Sequence, residues 1–236
     1  MENCFYKNVL EKIQKEEKEL ELLSGNVINE SCRMISYLQD VLNELKTSLS
    51  KIEVLNESEE IVFFKMVKPQ ILGKLIYYNK LYRIETTCPV SNGKMYYSFF
   101  SAQLASLKRQ YIEQICSSDF YRYFRSGRTD RDHIYFKRGN INYYDGLNSI
   151  VFEIDPEFST FYDYQTARII ANELLYTYLL TKINPDENPD AILQNPESSK
   201  DIFWTDSKNA LIELIYALYA CGVISNGKIG IRKLAL

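Results

Sequence analysis

Histidine is almost absent from this chain of 236 residues, in which His133 is the only one. A metal centre built from several histidines is therefore excluded, and a catalytic imidazole would have to be this single residue. The five cysteines are scattered, and none forms a Cys-x-x-Cys pair. Their spacing is typical of reduced thiols in a protein core rather than of a disulfide framework or a zinc site. We expect neither a metal nor any other cofactor.

The motifs of common nucleotide-binding and hydrolytic enzymes are also missing. The chain has no G-x-x-x-x-G-K-[ST] loop, no G-x-G-x-x-G turn and no G-x-S-x-G elbow. No apolar run approaches the roughly 18 to 20 residues needed to cross a bilayer, and the first residues lack the basic start and apolar centre of a signal peptide. These absences predict a cytoplasmic protein that is not an enzyme.

The formal net charge of −3 hides blocks of opposite sign. Residues 61–138 carry 14 basic and 5 acidic side chains, and residues 206–236 carry 4 and 2, whereas 1–60 and 139–205 are acidic. Such asymmetry is compatible with a positive face that attracts phosphate, and equally with blocks that pair with each other on folding.

Apolar residues recur at steps of three and four over most of the chain, which predicts a mainly α-helical protein, a multi-helix bundle. The N-terminal stripe, in which Ile13, Leu20, Val27 and Met34 lie seven apart, is typical of a bundle face or of a coiled-coil dimer contact. Pro69 is expected to end or kink the third helix. The predicted helices cover residues 7–23, 27–52, a segment from 57 through 64, 71–84, 94–124 and 160–183.

Two further elements interrupt the helical pattern. Residues 133–136 and 150–154 have strand-like composition on either side of a turn-rich stretch, which predicts a small β-hairpin. Pro185, Pro189 and Pro196 prevent a continuous helix after residue 183. We therefore predict a helical domain at 1–183 with a central basic and aromatic segment, a linker at 184–203 and a C-terminal module at 204–236.

The C-terminal module has the pattern of a helix-turn-helix. Thr205 and Asp206 are good N-caps for a helix that begins near Ser207. An amphipathic stripe follows, then Gly222 as a helix stop, and then a short second element after a tight turn. The pattern predicts a helix-turn-helix-like or partial winged-helix module.

Two groups of cations are candidate nucleic-acid contacts: the first lies in the central basic and aromatic segment, and the second lies in the C-terminal module. Guanidinium groups form charge-assisted bidentate bonds to phosphate, and the aromatic residues interleaved with the first group could stack on bases. Acidic residues also lie among them, so internal salt bridges are the open alternative. Surface charge is the alternative for the second group. The first group is Arg122, Arg125, Arg128, Arg131, Lys137 and Arg138, and the second is Lys208, Lys228, Arg232 and Lys233.

Three segments with marked residue patterns follow one another along the chain. They are Phe63-Phe64-Lys65 with Lys68-Pro69 and Leu75-Ile76-Tyr77-Tyr78-Asn79-Lys80-Leu81; Tyr123-Phe124-Arg125-Ser126-Gly127-Arg128-Thr129-Asp130 with Tyr135-Phe136 and Arg138-Gly139; and Trp204-Thr205 with Glu213-Leu214-Ile215-Tyr216-Ala217-Leu218, Gly222 and Asn226-Gly227-Lys228. These three segments and their order resemble the RteC family, and the resemblance spans residues from about 60 to 235.

The resemblance implies a bacterial cytoplasmic regulator associated with conjugative transposons, a class of mobile element. The implied regulator is similar to proteins that bind DNA upstream of an excision operon and activate that operon. In the family, the DNA-binding part is a C-terminal winged-helix-like domain. Duplex DNA is the implied partner, and a homodimer is an open alternative to a monomer. Family members are expected to continue past the position of Leu236, so the module at 204–236 is expected to be incomplete. The alternative is a non-enzymatic protein-interaction module that lacks a functional DNA reader.

Overall fold

Helices form most of the structure, a computed structural model that describes residues 2–20, 26–51, 56–89, 92–141 and 154–183, together with Tyr216 and Cys221. The chain divides into two compact units, Met1–Pro189 and Asp190–Leu236. The predicted linker and all but two residues of the predicted C-terminal module lie outside the described residues. Of those two, Tyr216 is helical and exposed, and Cys221 lies in a turn.

The mainly α-helical prediction is confirmed. No described helix is long and apolar enough to cross a membrane. The helices are α1 (Glu2–Lys18), α2 (Val27–Ser50), α3 (Glu57–Val62), α4 (Lys68–Thr87), α5 (Gly93–Tyr111), α6 (Asp119–Arg125), α7 (Asp132–Tyr135) and α8 (Tyr162–Ile183), and two π-helical segments, the first π turn (Phe63–Val67) and the second π turn (Ile112–Cys116), follow α3 and α5.

A continuous helical rod runs from α3 through the first π turn into α4. Asn56 caps its start, because its side-chain oxygen accepts the amide of Ser58 at 3.1 Å. Pro69 does not end the rod and lies instead in the first turn of α4. The amide of Lys68 reaches back to the carbonyl of Phe63, a π-helical hydrogen bond that closes just before the proline, which has no amide hydrogen to donate.

Helix α4 is the centre of the first unit. It packs against α2 and α8, and α8 also packs against α5. On α2 the predicted stripe buries Met34, Leu38 and Leu45 within the unit, which favours the bundle interpretation of that stripe. Gly73 permits the close approach of α4 to α8, since a Cβ there would lie 3.0 Å from the carbonyl oxygen of Ala167.

The predicted helix over 94–124 is interrupted at Ser117–Ser118, between the second π turn and α6. The hydroxyl of Ser118 donates to the carbonyl of Ile115 at 2.8 Å and accepts the amide of Tyr121 at 3.1 Å. It therefore caps one helix while it closes the preceding one. The apolar periodicity continues across the break, which is why the sequence pattern indicated one helix.

The predicted β-hairpin is wrong at its first strand, because Asp132–Tyr135 form helix α7. The amide of Phe136 donates to the carbonyl of Asp132 at 2.8 Å, and both Tyr135 and Phe136 are buried. A strand would direct these neighbours to opposite faces, whereas a helical turn allows both rings to enter one core. Most of the second predicted strand lies outside the described residues, and Ile154 lies in a bend.

A buried ion pair connects the start of α4 to the start of α8. The ammonium of Lys68 donates to the carboxylate of Asp163 and to the carbonyl of Phe158. The two charged side chains are only 6% and 0% exposed. The same carboxylate accepts the hydroxyl of Ser159 at 2.7 Å and the amide of Thr160 at 3.1 Å. A buried charge requires such a set of partners.

The turn before α8 contains a strained residue. Phe161 has φ of 67°, a left-handed conformation that bulky side chains rarely adopt, and its ring is buried. Its amide donates to the hydroxyl of Ser159 at 3.2 Å. Since that hydroxyl donates in turn to Asp163, the buried ion pair and the strained turn stabilise each other.

Replacement of Asp163 by asparagine should lower the free energy of unfolding by about 3 kcal/mol, because the buried ammonium of Lys68 then has no counter-charge. Lys46→Ala is the matched control, since it breaks a solvent-exposed ion pair with Asp155 at 2.7 Å and should cost less than about 1 kcal/mol. Urea denaturation measures both values. Equal losses in the two variants would contradict this account of the fold.

Candidate nucleic-acid interface

The six predicted cations of the central segment lie on three consecutive structural parts. Arg122 and Arg125 are on α6, Arg128 and Arg131 are in the loop to α7, and the remaining two, Lys137 and Arg138, follow α7. These positions bring the six residues into one region of the first unit. Their charges, however, have different partners.

Two of the arginines pair with acidic residues close in sequence. Arg122 binds Asp119 on the first turn of α6. Arg128 holds Asp130 through two bonds, from Nε to Oδ1 at 2.9 Å and from Nη2 to Oδ2 at 2.6 Å. These hydrogen bonds hold the pKa of Asp130 below its usual value. All four side chains are exposed, so the pairs contribute little to stability and can exchange partners.

Arg125 makes a longer connection. Its guanidinium lies 3.2 Å from the carboxylate of Glu173 on α8, and both side chains are about half exposed. Burial raises the pKa of Glu173, and the nearby charge of Arg125 opposes that rise. This ion pair connects α6 to α8, and it remains accessible to a phosphate that could compete for Arg125.

Lys137 and Arg138 contact the helical rod. Lys137 lies 3.3 Å from the carboxylate of Glu57. Arg138 donates to Glu60 from its side chain at 2.7 Å and from its backbone amide at 3.1 Å, and the Glu60 side chain is only 9% exposed. The guanidinium also lies over the ring of Phe64. Arg138 therefore has a structural role, because a phosphate would have to replace a nearly buried carboxylate.

Arg131 differs from the other five cations. Its backbone amide donates to the phenol oxygen of Tyr123 at 3.1 Å. Its exposed side chain has no hydrogen-bond or ion-pair partner within the part of the chain that the structure describes. Five of the six predicted cations thus pair with carboxylates of the same chain, as in the salt-bridge alternative. Arg131 is the one of the six whose guanidinium has no such partner among the described residues.

Three of the five aromatic residues among these cations are not available for stacking on bases. Tyr123, Tyr135 and Phe136 are buried. Their rings form a cluster with Phe120 and Tyr162, in which the ring centres of Tyr135 and Tyr162 are 4.5 Å apart. The packing of α6, α7 and α8 holds these three rings in the core, whereas Tyr121 and Phe124 are only partly buried. Stacking on bases by those two rings stays a prediction.

Asp132 is a structural centre that the sequence patterns did not identify. Both of its carboxylate oxygens accept from the ammonium of Lys65 at 2.8 Å, and one accepts the phenol of Tyr123 at 2.8 Å. Burial, followed by the hydrogen bond to Asp132, raises the pKa of Tyr123 to about 12. The only sequence signal was one of a few acidic residues within a basic segment, which does not indicate a partner 67 positions away.

The second group of predicted cations lies outside the described residues. It comprises Lys208, Lys228, Arg232 and Lys233. Their assignment as DNA contacts, together with the helix-turn-helix interpretation of that module and its expected incompleteness, stays a prediction.

Comparison with known proteins gives one family. A family model described as RteC protein matches residues 62–236, which is most of the chain. This range agrees with the span of the resemblance seen in the sequence. No curated protein and no solved structure matches. The first two resembling segments are in contact, since Lys65 of the first binds Asp132, which lies between the matched residues of the second.

Alkaline pH should destabilise the protein partly through Tyr123. Its pKa is higher in the folded state, so its contribution to the free energy of unfolding is fully present below about pH 10 and is lost as the pH rises towards about 12. The loss should reach up to about 2 kcal/mol. Denaturant titrations of the wild type and Tyr123→Phe across this range measure it, since the other tyrosines are present in both proteins. The interpretation fails if the two proteins lose stability in parallel.

Proposed function

We propose, because the chain belongs to the RteC family, that this protein is a transcriptional regulator of the bacterial cytoplasm that binds DNA upstream of the excision genes of a conjugative transposon. The observation that carries the proposal is the family match over residues 62–236. In this proposal the protein is not an enzyme, and its partner is duplex DNA.

The described surface supports a division of roles among the predicted contacts. The guanidinium of Arg131 has no hydrogen-bond or ion-pair partner among the described residues, and the exposed ion pairs of Arg122, Arg125 and Arg128 can open towards phosphate at small cost. These residues would bind the DNA backbone and position the protein without reading sequence. The proposal assigns base reading to the winged-helix-like module at 204–236, whose cations would add backbone contacts.

One observation favours a second candidate function. Five of the six central cations already have carboxylate partners in the chain. A protein whose basic segment is neutralised in this way could act as a protein-interaction module, derived from such a regulator, through its helical surfaces. This candidate predicts a defined homo- or hetero-oligomer and no binding to duplex DNA.

Binding of a duplex from the region upstream of the excision genes should weaken steeply with salt, because each phosphate contact releases counter-ions. The double variant Arg232→Gln, Lys233→Gln should weaken binding to all duplexes alike and reduce the salt slope by about 2. The pair Arg128→Gln, Arg131→Gln tests the central segment in the same way. An electrophoretic shift at several salt concentrations gives each slope.

The control is the double variant Arg33→Gln, Lys46→Gln, which removes the same charge from two exposed cations of α2 that also pair with carboxylates. It should bind like the wild type. Salt-independent binding would contradict the regulator proposal. Absent binding, together with a defined oligomer in light scattering, would favour the protein-interaction module.

A further inference from the structure

A groove between α4, α5 and α8 is the strongest unassigned feature of the first unit. It encloses about 330 Å³, which is at the lower end of the range for small-molecule sites. Two cations, Lys80 and Arg83, line it from α4, and Gln103 and Gln110 line it from α5. No carboxylate among the described residues lines this space, which we call the Lys80 groove.

Lys80 is unlike the other recessed lysines of the first unit. Lys65, Lys68, Lys74 and Lys182 each have a carboxylate partner. The ammonium of Lys80 instead donates to a neutral amide oxygen, that of Asn172, at 2.9 Å. A partly buried cation without a counter-charge is costly, and none of the described residues of the groove supplies one to Lys80, so an anion bound there would be stabilised.

The surroundings of Lys80 add positive charge rather than cancel it. Burial lowers the pKa of its ammonium, and the nearby guanidinium of Arg168 lowers it further. Arg168 itself donates to neutral amides, to Gln114 at 2.8 Å and to Gln165 at 3.4 Å. An anion in the groove would therefore stabilise the charged form of Lys80.

Arg83 supplies a second donor, three residues after Lys80 on the same face of α4. Its side chain is exposed and has no hydrogen-bond or ion-pair partner among the residues that the structure describes. A guanidinium is suited to two-point binding of phosphate or carboxylate oxygens. The amide groups of Gln103 and Gln110 provide further donors without negative charge.

Apart from the hydroxyl residues Thr87 and Ser106, the remainder of the groove is apolar. Leu107 of α5 and Leu175 and Leu179 of α8 line it, and all three are buried. A recess with an apolar wall and two cations differs from a surface that binds the backbone of duplex DNA. Such a surface requires exposed positive charges that follow the convex outline of the duplex. The combination suits a molecule with one acidic group and an apolar body.

We propose that the Lys80 groove binds a small organic anion, whose phosphate or carboxylate lies between Lys80 and Arg83 and whose apolar part lies against Leu107 and Leu175. This inference does not rest on the proposed DNA binding, since the ligand site and its test require no DNA.

Calorimetric titration of the full chain with phenyl phosphate, benzoate and inorganic phosphate tests the proposal and distinguishes the acidic groups. At least one phenyl anion should bind with Kd below roughly 1 mM, and inorganic phosphate should bind more weakly because it lacks the apolar part. Arg83→Gln should weaken binding at least about tenfold through loss of a charge-assisted contact. Lys80→Gln should do the same.

Arg109→Gln is the matched control, because Arg109 is an exposed arginine of α5 that does not line the groove. It should bind the phenyl anions like the wild type. Arg83 is also exposed, so its variant should keep the wild-type melting temperature. No binding of any probe, or equal affinity in Arg83→Gln and Arg109→Gln, would overturn the proposal. The proposal would also be overturned if Arg83→Gln weakened binding to duplex DNA while the wild type bound no phenyl anion.

Discussion

The buried ion pair between Lys68 and Asp163 is the constraint on which the rest of the first unit depends. It connects the beginning of α4 to the beginning of α8, and α4 and α8 form the centre of the bundle. The carboxylate also organises the turn in which Phe161 adopts its left-handed conformation. Close packing at Gly73 requires α8 to begin at one position relative to α4, and the ion pair fixes that position.

The first π turn extends this constraint to the basic segment. Lys65 and Lys68 are three residues apart, and each binds one carboxylate, Asp132 in α7 and Asp163 in α8. In α3, just before the first π turn, Glu60 binds Arg138. The cations of the basic segment and of the helical rod thus fall into two classes. Some form partly or fully buried ion pairs that stabilise the fold, and others are exposed arginines that can exchange partners. The Lys80 groove is the opposite case, because it contains a recessed cation to which none of the described residues supplies a counter-charge.

Local patterns predicted most of the helices, and contacts between distant residues accounted for the errors. The periodicity of α2 and α8 and the cap at Asn56 follow from neighbours within a few residues, so the sequence contained them. The break at Ser118 was missed because apolar spacing continues across it. The hairpin was wrong because aromatic residues favour strands as readily as they favour a buried helical turn.

The candidate site was less predictable for the same reason. Charge composition located the basic segment, but the partners that decide its role are far away in sequence: 67 residues separate Lys65 from Asp132, and 78 separate Arg138 from Glu60. No pattern within a short window contains such pairs. The groove around Lys80 was equally hidden, since residues from three helices form it and none of the described residues that line it is a carboxylate.

A double-mutant cycle between Lys68 and Asp163 tests the central claim most directly. The variants are Lys68→Met, Asp163→Asn and the two together, and urea denaturation gives the free energy of unfolding of each. If the pair organises the bundle, each single variant loses several kcal/mol and the double variant loses clearly less than the sum, with a coupling energy of about 2 kcal/mol or more. Losses that simply add would contradict the account.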